Sequence, residues 1–140
     1  MNGLIVYASS FLGKPYLWGG DDPIKGFDCS GYVLELLKAA GVVKGKVDMN
    51  SQGIHDFLLQ NKGIVEASAD LGDILFYGES NKKINHVAFA VTKSLMYEAG
   101  SGDSSVTSAE IAAQKNAFIR MRPIHNRGDL VAIIRPNYGV

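Results

Sequence analysis

The sequence predicts an α+β domain, with N-terminal helices packed on one face of an antiparallel sheet of about five to six strands. Two observations carry that reading. Apolar residues recur at helical spacing only in the first 63 residues, and from residue 72 onward they fall into short runs with a period near two. Those runs follow one another without a helix-length crossover, which favours antiparallel pairing.

Leu4, Ile5, Ala8, Phe11 and Leu12 share a helical face, and Gly13 and Pro15 end the segment, so the first helix is expected over residues 3–12. Residues 13–27 are dense in glycine and proline and read as a shaped, irregular loop. From Asp28 a new stripe of Cys29, Val33, Leu36, Leu37 and Ala40 begins, with Glu35 and Lys38 off it and Gly41 in the C-cap position. The stretch SQGIHDFLLQNKG, residues 51–63, reads as a third, shorter helix. Strands are expected over residues 72–78, 85–91, 95–100, 117–124 and 130–136, each rich in Val, Ile, Phe or Tyr and separated by turn residues. Residues 101–116 read as a polar loop with one helical turn around 108–113.

Composition removes several function classes. A chain of 140 residues supplies one domain, residues 1–140, and its hydrophobic content is ample for one core. Fourteen basic and fourteen acidic residues cancel without forming a run, so a nucleic-acid partner is not expected. No apolar stretch reaches the roughly 18 to 20 residues of a membrane span. The opening MNGLIVYASSFLG lacks a basic n-region and a small-residue cleavage site, so it reads as a helix and not as a secretory signal. A single cysteine excludes an internal disulfide and a multi-cysteine zinc site.

Cys29 is therefore the residue whose chemistry needs an account. With Asp28 as N-cap, its sulfur lies in the first turn of a helix, where free N–H groups and the helix dipole favour a thiolate. It also lies on the stripe of Val33 and Leu36, the position of a small core residue, so both readings stand until a base is found. Of the three histidines, His55 reads as a partly exposed helix residue and His125 as a surface turn residue. His86 opens an alternating run whose one face carries His86, Ala88 and Ala90 and whose other face carries Val87, Phe89 and Val91. Small alanines beside a histidine allow a helix carrying Cys29 to pack on that face. A hairpin centred near Thr92 then places Glu98 opposite His86, where its carboxylate can hold the far ring nitrogen; a one-residue slip turns it away.

The joined segments KPYLWGG, GFDCSGYV, NHVAFAV and MYEAGSG resemble the NlpC group of cell-wall cysteine peptidases, also called NlpC and p-sixty. The resemblance runs from about residue 3 to residue 136, nearly the whole chain. It implies a papain-like α+β fold and hydrolysis of the bond between D-γ-glutamate and a diamino acid, meso-diaminopimelate or lysine, in peptidoglycan stem peptides. Carried over by residue, it makes Cys29 the nucleophile, His86 the base and Tyr16 a hydroxyl near the thiol. It makes Asp28 and Ser30 contacts to the substrate's free amine and neighbouring backbone. The third polar residue of this family is usually His, sometimes Asn or Gln, whereas here it is Glu98, a substitution able to orient His86.

The oxyanion is expected at the Cys29 N–H, joined by Tyr16. Gly19, Gly20 and Gly26 are expected to let the loop approach an extended peptide, with Trp18 packed beneath it. No metal or organic cofactor is expected, and the partner is a peptidoglycan stem peptide met by a monomer. Without a leader, the wall would be reached by lysis, injection or phage delivery, as for an endolysin or tail-associated peptidase, or by secretion with a leader already removed. Rival readings on the same residues are an N-acetylmuramoyl-L-alanine amidase or other thiol acyl-transfer enzyme, and a non-enzymatic phage tail protein.

Overall fold

The computed structural model describes residues 1–139. The chain opens with α1 (Asn2–Ser9), makes a two-stranded ribbon of β1 (Asp21–Asp22) and β2 (Gly26–Phe27), and continues into α2 (Cys29–Ala39) and α3 (Ser51–Gln60). Then come β3 (Ile64–Val65), β4 (Ile74–Ser80), β5 (Lys83–Ala90), β6 (Leu95–Ala99), α4 (Ala109–Gln114), β7 (Ile119–Pro123), a 3-10 turn (Ile124–Asn126) and β8 (Leu130–Arg135). Six strands form one sheet in the order β3-β8-β4-β5-β6-β7, all pairs antiparallel. The predicted class holds, with the strand boundaries moved by a few residues.

The helices pack on one face of that sheet. Tyr32, Val33, Leu36 and Leu37 of α2, Ala8 of α1, and Ile54 and Leu58 of α3 share a buried cluster with Ile74, Phe76, Val87, Phe89 and Ile134. Truncating any of these large side chains to alanine removes about 2 to 5 kcal/mol, because the surrounding core relaxes only in part. The opposite face is buried too, by a cluster of Leu75, Tyr77, Ala88, Ala90, Met96, Ile124 and Ile133. Here the sequence reading is corrected: α2 covers the Val87 and Phe89 face of β5, not the alanine face. The bulkier face buries more apolar area against a helix, and the alanines are small enough to fit under Tyr77 and Met96.

Three further departures have local causes. The first helix ends at Ser9, not at residue 12, because the next bonds are short-range ones, from the Leu12 N–H to Ser9 O and from the Lys14 N–H to Phe11 O. The loop expected to be irregular contains the β1–β2 ribbon, whose turn is closed by Asp22 Oδ1 accepting the Ile24 N–H at 2.8 Å. The short strand β3 pairs only through two positions, Ile64 with Arg135 and Val65 with Ile134, and carried no alternating signal.

Candidate active site

Cys29 is the first residue of α2, and Asp28 caps that helix as expected, its Oδ1 accepting the Gly31 N–H at 2.7 Å and the Ser30 hydroxyl at 3.2 Å. The loop before it is bound to the helix start: the Asp28 N–H donates to Gly20 O at 3.1 Å, and a Cβ at Gly31 would overlap that same carbonyl. Only glycine fits at position 31, which explains the residue two places after the cysteine. Gly20 and Gly26 serve this internal packing as well. A Cβ at Gly20 would meet Gly26 O at 2.7 Å, and Gly26 has a φ of +146° with the Pro15 carbonyl against it. The expectation that both glycines approach substrate is therefore revised, and of the three only Gly19 lines the cleft.

The same loop carries Tyr16 and Trp18. The Tyr16 N–H donates to Ala117 O at 2.9 Å and the Trp18 N–H to Val106 O at 2.8 Å, which ties both residues to the segment after β6. Tyr16 is buried against Gly102 and lines the cleft. Trp18 is 57% exposed and also lines it, so the indole is part of the cleft wall and does not pack beneath the loop.

His86 comes to the thiol through an irregularity in β5. The register pairs Gly78 with Ile84 but Tyr77 with His86, so β5 carries one extra residue at Asn85. Such a bulge re-aims the side chains beside it. The imidazole, 7% exposed, then lies between Cys29 at the helix start and the Tyr77 ring, 5.6 Å away by centroid. Its Nε2 is 2.6 Å from Glu98 Oε1, which leaves Nδ1 as the ring nitrogen for the thiol. Tyr77 is in turn fixed by its hydroxyl, which donates to Ile124 O at 2.8 Å.

Glu98 reaches His86 by a different register from the one expected. Phe89 pairs with Tyr97 and Ala90 with Met96, so the hairpin is centred at Lys93 and Glu98 stands diagonal to His86, not opposite it. The displacement keeps the face, because it moves the pairing by two positions and not by one. Glu98 is 3% exposed, and the Arg122 guanidinium lies 3.8 Å from its second oxygen.

Charge in this group is mutually supporting. Burial pushes the Cys29 thiol up, but the hydrogen bond and positive field of His86, assisted by Ser51, outweigh it and leave the thiol below its ordinary value. Burial pulls His86 down, yet Cys29 and Glu98 together raise it to about 9. Burial also raises Glu98, and His86 with Arg122 and Arg127 holds it below the usual carboxylate range. Tyr16 is driven far above its ordinary value, first by burial and then by the Cys29 and Asp28 charges, so its hydroxyl is a neutral donor. A thiolate facing an imidazolium at a helix N-terminus can carry nucleophilic acyl transfer.

The groups open into a cleft of about 810 Å³ whose lining includes Tyr16, Asp28, Cys29, Ser30, His86 and Glu98, so all six candidates from the sequence meet there. Ser51, whose Oγ lies 3.7 Å from Cys29 Sγ, was missed. It is the first residue of α3, behind its cap Asn50, and read from sequence it is an ordinary helix start. His55 is 5% exposed and packs edge-on against Phe76 at 5.2 Å, so it is a core residue, not a half-exposed one. His125 is exposed in the 3-10 turn as expected.

A model of the NlpC/P60 family matches residues 13–128. The bifunctional muramidase/DL-endopeptidase CwlT of Bacillus subtilis (strain 168) is 33% identical over 106 residues, 74% of this chain and 30% of that protein. A gamma-D-glutamyl-L-lysine dipeptidyl-peptidase of the same organism is 36% identical over 92 residues, 63% of this chain and 28% of that protein. The chain thus spans under a third of the length of either relative. Among solved structures, RipD of Mycobacterium tuberculosis, described as a non-catalytic NlpC/p60 domain protein adapted to peptidoglycan binding, is similar with a TM-score of 0.64. That likeness, at 19% identity over 96% of this chain and 94% of the other, is one of fold. The family match runs from the loop before Tyr16 to the turn beyond Arg127 and takes in Cys29, His86 and Glu98, so the chain belongs to the NlpC/P60 family.

Proposed function

We propose that residues 1–140 form one catalytic domain of a peptidoglycan endopeptidase, which cleaves the bond between D-γ-glutamate and the diamino acid of stem peptides. The observation that carries this reading is the Cys29–His86–Glu98 relay at a helix start, opening into a cleft of about 810 Å³. The activities for which the two relatives are named support the substrate class.

The Cys29 thiolate attacks the γ-glutamyl carbonyl carbon, and the carbon–nitrogen bond breaks as His86 delivers its proton to the leaving amine. Water then attacks the thioester, its proton passes to His86, and the thiolate is released. The oxyanion is met by the Cys29 N–H, one of the first four in α2 and so without a partner inside the helix, and by the Tyr16 hydroxyl. Glu98 holds Nε2 and so keeps Nδ1 directed at the sulfur. Asp28 and Ser30 contact the acyl side of the substrate. Every group named lies on one chain, so a single copy supplies the whole reaction, and thiol acyl transfer by this set uses no metal or organic cofactor.

Mass spectrometry of defined stem peptides incubated with the protein tests the reading. Products cut after D-γ-glutamate are expected. Release of the muramoyl group from L-alanine would identify an amidase instead, and intact peptides together with intact sacculi would favour a wall-binding role of the kind described for RipD.

Gly102→Ala provides a second check, because its methyl would occupy the space of the Tyr16 ring. Displacing that hydroxyl is expected to lower kcat/KM about tenfold to a hundredfold, since misplacements near 1 Å have effects of that size. Circular dichroism should show the fold retained.

A further inference from the structure

The proposed chemistry orients the substrate. Because His86 protonates the departing amine, the residue after the scissile bond leaves along the wall that carries His86, while the acyl residues lie toward Asp28 and Ser30 at the helix start. Beside His86 the cleft is lined by Asn85, its neighbour in β5, by Arg127, which donates to Asn85, and by Arg122, next to the Glu98 that holds His86. The two arginines are held very differently. Arg127 donates from Nε and Nη2 to Asp129 at 3.0 and 2.8 Å and from Nη2 to Asn85 Oδ1 at 3.1 Å, and its guanidinium lies 5.3 Å from the Tyr77 ring centroid. Nε, Nη2 and the charge are thus engaged.

Arg122, on β7, is loosely held. Among the described residues its side-chain polar contacts are Glu98 Oε2 at 3.8 Å, beyond hydrogen-bond reach, and Ser101 Oγ at 3.5 Å. The side chain is 31% exposed and lines the cleft. A guanidinium carries five N–H donors in a planar fork suited to a carboxylate, so Arg122 offers the leaving side of the cleft an unfilled carboxylate-binding group. Asp28, the cap of α2, lines the same cleft on the acyl side.

Resting on the endopeptidase reading above, we propose that Arg122 is a specificity-determining residue that binds a carboxylate on the side chain of the leaving residue, so this chain prefers meso-diaminopimelate to lysine. Both side chains end in an ammonium, and only diaminopimelate adds a carboxylate beside it. With lysine, Arg122 faces a like charge and gains no acceptor.

The test is kcat/KM for three peptides that differ only at the third residue: diaminopimelate, diaminopimelate with its side-chain carboxylate as the amide, and lysine. Wild type is expected to favour the first over the other two by about tenfold or more, the scale set by a site built for one polar group. In Arg122→Gln the preference should fall to within about twofold, through a raised KM for the carboxylate peptide. Arg122→Lys should retain an intermediate preference. If Arg122 serves only to hold Glu98, the variant lowers kcat on all three peptides together and the preference is kept. That result, or a wild-type preference for lysine, overturns the assignment while the endopeptidase reading stands; cleavage of none of the three overturns both.

Discussion

Replacing Cys29 with alanine is expected to lower stem-peptide cleavage by about three orders of magnitude or more, as for loss of the nucleophile in other acyl-transfer enzymes. The fold should survive the change. Cys29 is half-buried at the first position of α2, and the cap of that helix is made by Asp28, whose carboxylate binds the Gly31 N–H. The sulfur's contact to a hydroxyl, Ser51 Oγ at 3.7 Å, is long. Alanine is the best helix former, so the stability change should stay within about 1 kcal/mol. Product formation by mass spectrometry and thermal unfolding together check this. A variant that keeps more than about a tenth of wild-type rate, with the fold unchanged, would remove Cys29 from the reaction.

The second large effect is expected from His86→Ala, which should reduce kcat/KM by about a hundredfold or more and carry a distinct signature in the thiol itself. Two opposed influences act on Cys29: burial raises its pKa, and His86 lowers it by more. Removing the imidazole leaves burial in place, so the thiol should move from below its ordinary value to above it. Alkylation by iodoacetamide, which follows the thiolate population, reports that shift directly. In wild type the rate should already be high at pH 7; in the variant its inflection should lie above about 8.5, the free thiol value. The pH profile of wild-type kcat/KM follows from the same pair. It rises as the thiol deprotonates, below the ordinary thiol range, and falls near pH 9 as His86 loses the proton needed by the leaving amine. An alkylation inflection that does not move in His86→Ala would mean that the ring does not sustain the thiolate.

Glu98 shows how sequence and structure divided the work. Its face was legible through the expected odd-length hairpin loop, because centring on any single residue pairs even with even positions and keeps Glu98 on the side of His86. Its partner was not, because the hairpin is centred at Lys93 rather than Thr92, a choice made by the turn, where Thr92 Oγ1 accepts the Ser94 and Leu95 N–H groups. Diagonal placement still brings a long carboxylate to the ring at 2.6 Å. The side on which α2 packs was misread for a related reason. Alternation shows that two faces of β5 differ but not which one meets a helix, and both faces are buried here.

By itself the sequence determined the class of fold, the helix that begins at Cys29, the cap at Asp28 and the residue types able to perform thiol chemistry. Each of these is written in neighbouring residues, through periodicity, capping and the chemistry of single side chains. Only the tertiary structure decided that Ser51 would stand beside the thiol, that the extra residue in β5 would aim His86 at it, that Trp18 would line the cleft, and that Arg122 would remain loosely held while Arg127 is bound by Asp129 and Asn85. These are distances between elements remote in the chain, set by how the helices and the two faces of the sheet pack, and no local pattern encodes them.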